Sequence, residues 1–301
     1  MSKSVSSLQP FLEKVYRKHH HPRTLGSDPL VLVKSHDNPA DQEMAAYFMA
    51  MLAYGRVEQV LVSGRKVLSA LGQHPAETLR NATPRQLKSR LRGVYHRFNT
   101  ANDLALLAWV LGQVLREYDS LGAHFQQVAW NGRDDGETDT IPALTRWTQA
   151  LRALDASPFY KRGLPDRCSF NYLLPFPEKG SACKRLHMFL RWMARPADGI
   201  DLGLWDFLPT SHLLMPIDTH IARLATNLGL NTRRQINLAT TRDITAQFRR
   251  IAPDDPVRYD YSLCRLGILQ ECPTREDLTA CRTCGLSPVC QTRARLERLA
   301  A

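Results

Sequence analysis

Five of the seven cysteines fall between residues 264 and 290, and the last four, Cys272, Cys281, Cys284 and Cys290, read C-x8-C-x2-C-x5-C. Thiolates this close in sequence can converge on one point, and thiolate is the ligand that both iron–sulfur clusters and structural zinc require. A zinc ribbon carries two C-x2-C steps and this chain carries one, which favours a [4Fe–4S] cluster and leaves zinc as the alternative. Cys264 stands outside the four on an apolar segment and reads as a packed hydrophobe. Asp218 opens a helical run, where by itself it reads as an ordinary N-cap. Lys179 and Lys184 lie on either side of Gly180 and, with Arg185, read as contacts to phosphate or solvent.

These groups must be positioned by helices. Met44, Phe48, Met51 and Leu52 keep a 3.6-residue period, broken at residues 53–56 and resumed by Val60, Val67, Leu68 and Leu71. Residues 101–118, with Leu104, Leu107, Leu111 and Leu115 on one face, predict a buried helix. Leu186, Phe189, Leu190 and Met193 make the apolar face of a helix over residues 184–193. Ile221, Leu224, Ala225 and Leu228 do the same after Asp218, and Gly229 closes that run. Residues 130–140 are polar, acidic and glycine-containing and read as a surface loop. The basic run at residues 17–22, with three adjacent histidines, reads as solvated, because three adjacent histidines on a helix cannot face one ion. No strand, repeat or low-complexity tract is evident, so the chain is expected to be all-α.

Lys and Arg total 40 against 29 Asp and Glu, a formal net charge of +11 in 301 residues. Such a balance suits a polyanion, whose neutralisation releases counterions. Residues 1–22 hold no continuous apolar stretch of the kind a secretory signal needs, and no run is long enough to cross a bilayer. The expected location is therefore the cytoplasm, where thiols stay reduced and clustered cysteines more often serve metal or redox chemistry than disulfides.

A terminal cysteine set ending C-x2-C-x5-C after an apolar helix resembles the cluster loop of endonuclease III-like DNA glycosylases, members of the helix–hairpin–helix GPD superfamily. The family set usually reads C-x6-C-x2-C-x5-C, two residues shorter in its first gap. Met215-Pro216-Ile217-Asp218-Thr219-His220-Ile221-Ala222-Arg223-Leu224 resembles the family's V-D-T-H-I-x-R-V segment, whose aspartate is catalytic. Leu174-Pro175-Phe176-Pro177-Glu178-Lys179-Gly180-Ser181-Ala182-Cys183-Lys184-Arg185 stands where the family has L-P-G-V-G-x-K-T-A. With Gly180 as the second glycine, the family's lysine position falls on Ala182, and Lys184 lies two residues beyond it. Tyr54-Gly55-Arg56 and residues 93–98 are similar to further family segments. The combination looks like a bacterial branch of the superfamily.

The resemblance implies a two-lobed, all-α, helix–hairpin–helix glycosylase-like fold with a C-terminal [4Fe–4S] loop. Residues 1–27 would be an N-terminal helix and basic linker. Residues 28–262 would be a helical core with an insertion near 119–170 and the hairpin near 172–195, and residues 263–301 the last helix and cluster loop. The implied activity is base-excision glycosylase, acting on a flipped nucleotide held between the lobes. Asp218 would be the catalytic carboxylate, and Lys184, if it reaches, the nucleophile of an AP-lyase step; otherwise water attacks. Arg56, Lys179, Gly180, Ser181, Arg185, Arg275 and Arg282 would contact the duplex. The alternative is a non-catalytic DNA- or RNA-binding protein on the same scaffold with a structural cluster. The implied partner is double-stranded DNA, with RNA as the alternative, bound by a monomer that meets no membrane and associates with the nucleoid when on DNA.

Overall fold

The computed structural model describes residues 5–130 and 137–300, so the centre of the polar loop expected at 130–140 lies outside the described residues. The helices are α1 (Gln9–His19), α2 (Leu30–Val33), α3 (Pro39–Leu52), α4 (Val57–Leu71), α5 (Pro75–Asn81), α6 (Pro84–Arg90), α7 (Ala101–Tyr118), α8 (Leu121–Val128), α9 (Ile141–Ala153), α10 (Lys184–Ala194), α11 (Thr219–Asn227), α12 (Leu238–Arg249), α13 (Asp260–Ile268), α14 (Leu278–Thr283) and α15 (Gln291–Ala300). Among the described residues there is no strand; a lone antiparallel bridge joins His96 and Asn99. The chain is all-α, as its periodicity predicts. The metal centre that went with that expectation is overturned: among the described residues no three His, Cys, Asp or Glu side chains converge to hold one ion. No described helix is long and apolar enough to cross a membrane.

The chain divides into two compact units, one of Met1–Thr24, Lys179–Arg191 and Pro209–Ala301, the other of Leu25–Glu178 and Trp192–Leu208. In the second, α3 begins with Pro39 behind Asn38, whose side chain accepts from Ala40 N at 2.8 Å. This is the favoured start for a helix, since proline lacks only an N–H that would be unbonded there. Residues Met44 to Leu52 are buried on every side, as an apolar helix without a polar face must be. α7 starts at a reciprocal cap between Thr100 and Asp103 and buries Leu104, Leu107, Leu111 and Leu115, each worth about 1.5–3 kcal/mol over exposure. Glu43 is a buried carboxylate among these helices. It accepts from Leu121 N (2.8 Å), Gly122 N (2.8 Å) and Trp205 Nε1 (2.7 Å), so it caps α8 from a distance in sequence. Burial, opposed by these three donors, pushes its pKa up.

The first unit is built on α11, α12 and α13 together with α1. Leu12 and Val15 share a core with Ile221, Leu224, Phe248, Leu263 and Leu266. Glu13 holds the junction by accepting from Arg258 Nε at 3.0 Å and Tyr259 Oη at 2.7 Å. The histidine run is not solvated at its start. His19 and His20 are buried, with His20 stacked on Tyr16 at 4.3 Å between centroids, because the helix end is enclosed by the same core. Cys264 is half-buried beside it.

Candidate functional site

The hairpin segment reaches α10 through residues held in unusual backbone positions. Pro177–Lys179 form one 3-10 turn, and no α-helix lies between Ala153 and Lys184 among the described residues. Gly180 has φ +77° and open space where a Cβ would stand. Glycine is therefore required there by backbone conformation and not by crowding. Its carbonyl accepts from Leu238 N at 2.9 Å. Cys183 adopts φ +43°, a strained value for a residue with a side chain. Its amide meets Ser181 Oγ at 3.4 Å and its buried thiol, pushed up by desolvation, lies 3.1 Å from the same hydroxyl. That kink sets Lys184 as the first residue of α10.

Asp218 is the N-cap of α11. Its Oδ1 accepts from His220 N at 2.9 Å and Ile221 N at 3.0 Å, which satisfies two of the helix's otherwise unpaired donors. With Oδ1 committed to the backbone, Oδ2 faces Lys184 Nζ at 4.0 Å. That is ion-pair distance and beyond a hydrogen bond. About a quarter of each side chain remains exposed, so the pair is reachable from solvent. His220 beside it lies where a Cβ on Gly267 would be, 2.5 Å from its Nδ1, so glycine at 267 allows α13 to approach the start of α11.

Two charges behind this pair were not singled out from sequence. Arg191 lies seven residues after Lys184, on the same face of α10, and donates to Asp260 Oδ2 at the start of α13. Both side chains are buried. Burial pushes Asp260 up to about 6, against the lowering effect of Arg191; the charge of Asp218 raises it further and that of Lys184 lowers it. Lys184, Asp218, Arg191 and Asp260 thus form one interacting group of two cations and two carboxylates. The available sequence signal was an arginine inside the run Phe189-Leu190-Arg191-Trp192-Met193, which must find a partner if its apolar neighbours are buried.

Cys272, Cys281, Cys284 and Cys290 line a common cavity of about 40 Å³, and all seven cysteines are free. They are not arranged as ligands of one ion, so neither the [4Fe–4S] cluster nor zinc fits the tail. Burial, reinforced by the neighbouring thiols, pushes the Cys281 and Cys284 thiols up. Cys272 is engaged by α11 instead. Arg223 Nη1 donates to its Sγ at 3.2 Å and to Pro273 O at 2.7 Å, and Nη2 donates to Cys272 O at 2.6 Å.

The remaining expected contacts divide. Lys179, Ser181, Arg275 and Arg282 are exposed, whereas Arg185 is buried. Arg56 is exposed in the other unit, just before α4. There Tyr54, Phe98 and Tyr172 cluster with centroids 4.7 to 5.4 Å apart, and Phe98 and Tyr172 remain exposed. Arg97, at φ +54°, stands over the Tyr54 ring at 5.8 Å.

Among curated proteins and among solved structures, nothing matches this chain. Residues 28–269 match a family described as a protein of unknown function, DUF2400; the match covers most of the chain, from α2 to the end of α13, and the protein belongs to that family.

Proposed function

We propose that this protein is a DNA N-glycosylase with an associated lyase step, in which Lys184 is the nucleophile and Asp218 the catalytic carboxylate. The observation that carries the reading is the 4.0 Å approach of Lys184 Nζ to Asp218 Oδ2. The lysine is out of register with the family motif in sequence, yet its amine reaches the carboxylate. In the reaction, the free amine attacks C1′ of a flipped nucleotide. The N-glycosidic bond breaks, its electron pair leaves with the base, and the base takes up a proton from water. The Asp218 carboxylate offsets positive charge on the sugar as that bond breaks and then accepts the proton that the attached amine gives up. The C1′–O4′ bond next opens, Asp218 returns that proton to O4′, and the nitrogen lone pair closes the Schiff base between Lys184 and C1′.

The net charge of +11 and the exposed Lys179, Arg275 and Arg282 support a nucleic-acid partner. So does the exposed aromatic group around Tyr54, since aromatic faces stack on bases without regard to sequence. The test incubates purified protein with duplexes that each carry one damaged base or an abasic site, with borohydride to trap the Schiff base. Trapped product that disappears in Lys184→Ala is the expected result. Undiminished trapping in that variant removes Lys184 as nucleophile. Salt-sensitive binding without cleavage of any duplex removes the enzyme and leaves a nucleic-acid-binding protein.

A further inference from the structure

We propose that the basic face formed by Arg85 and Lys88 of α6 with Arg92 in the turn that follows it is a separate seat for the phosphodiester backbone of nucleic acid. It needs a nucleic-acid partner, as the reading above does, but no cleavage chemistry.

The spacing puts these residues together. Arg85, Lys88 and Ser89 recur at one helical turn and share a face of α6, and Arg92 follows in the turn beyond its C-cap Leu91, while Leu87 and Leu91 are buried. Arg85, Lys88, Ser89 and Arg92 line an open depression of about 770 Å³ whose wall includes no carboxylate. Some cations of the same unit are neutralised by acidic partners: Arg80 by Asp119, Arg146 by Glu137, Arg195 by Asp198 and Asp201. Among the described residues Arg85 and Arg92 have none.

The arrangement opposes the local preferences of the helix. Like charges three and four residues apart repel. Arg85 also sits in the first turn, directly after Pro84, where the helix dipole disfavours a cation. Helix stability therefore explains Lys88, in the last turn, but not Arg85. The central ammonium is also fixed in place. Lys88 Nζ donates to Pro158 O at 2.7 Å and lies 4.4 Å from the Phe159 ring centroid, so its charge is held at the depression instead of dispersing on a free side chain. Local rules broken without internal compensation are what a binding surface leaves in the unbound state.

Two guanidinium groups, a fixed ammonium and the Ser89 hydroxyl match the donors that hold phosphate oxygens. An anionic membrane fits less well, because the depression presents no large apolar side chain to insert beneath headgroups.

The test measures anisotropy of a labelled, undamaged DNA duplex with the full chain across a sodium chloride series. Arg85→Gln/Lys88→Gln/Arg92→Gln is expected to weaken binding by tenfold or more at moderate salt and to flatten the slope of log affinity against log salt by ~2 to 3, at ~0.9 for each phosphate no longer neutralised. Arg85→Gln/Arg92→Gln leaves the Lys88–Pro158 bond intact and is read instead if a thermal melt shows the triple variant unfolded; its expected flattening is ~1.8. Arg80→Gln, whose guanidinium is committed to Asp119, should leave the slope unchanged. Wild-type affinity and slope in the neutralised variants overturn the proposal, as does loss of poly-glutamate binding with DNA binding intact, which would identify an acidic protein as the partner. Duplex binding that depends on this face, with no cleavage of any damaged duplex, overturns the glycosylase reading and leaves this one standing.

Discussion

Lys184 Nζ stands 4.0 Å from Asp218 Oδ2, while Asp218 Oδ1 is bound to the backbone of α11. One carboxylate therefore does two jobs with two oxygens, and the jobs can be separated. Asp218→Asn keeps an oxygen for the cap and removes the charge, so stability should change by less than about 1 kcal/mol, while product formation on abasic duplex falls at least ~100-fold. Asp218→Ala removes both and should cost about 1 kcal/mol more in a urea titration. Equal activity of Asp218→Asn and wild type would exclude the charge from the chemistry.

The buried pair behind them gives a pH-dependent signature. Asp260 titrates at about 6 in the folded chain against its ordinary 3.8. A raised carboxyl contributes stability that is fully present below about pH 4 and is lost as pH rises through about 6. Arg191→Met leaves this carboxylate without its cation. The variant should be destabilised by about 3–5 kcal/mol at pH 7.5 and clearly less at pH 4.5, where Asp260 is neutral. Asp260→Asn removes the titrating group instead, so its own stability should not fall between pH 4.5 and pH 7.5 through this site as the wild type's does. Denaturation midpoints at the two pH values decide between these patterns.

In the other unit, Glu43→Ala removes the acceptor for three buried donors, Leu121 N, Gly122 N and Trp205 Nε1. We expect a loss of about 3–5 kcal/mol, with Glu43→Gln in between because one oxygen remains. A thermal melt followed by tryptophan fluorescence reports it directly, since Trp205 is itself a partner. A change under about 1 kcal/mol in Glu43→Ala would mean that the α8 start does not depend on this carboxylate.

Arg223 is the tie between α11 and the cysteine tail, through the Sγ and carbonyl of Cys272 and the carbonyl of Pro273. Arg223→Ala should free that stretch and raise the rate at which Cys272 reacts with a thiol reagent by tenfold or more, for an opening free energy lowered by about 1.4 kcal/mol. Peptide mapping after a brief pulse of reagent would show it. An unchanged rate at Cys272 would show that other contacts hold the tail.

Much of the architecture was legible in one dimension. The periods at residues 101–118 and 184–193, and the cap at Asp218, correspond to α7, α10 and α11, because helix faces and caps are made by residues near one another in sequence. The cysteine tail misled for the same reason. Close spacing shows that thiols are able to meet, but side-chain direction decides whether they do, and here it leaves no ligand set. The histidine run misled differently: His19 and His20 look solvated until α1 is seen packed in the core of α11 and α13.

The chain's own order of residues thus determined an all-α protein, basic overall, with Asp218 capping a helix, since propensity, periodicity and charge are local or summed properties. Tertiary structure alone decided that Lys184 faces Asp218, that Arg191 and Asp260 are buried as partners, and that Arg185 points away from solvent. Those outcomes depend on contacts between residues from about 30 to 70 positions apart, and on desolvation, which sets how strongly charges act on one another and exists only once the helices have packed.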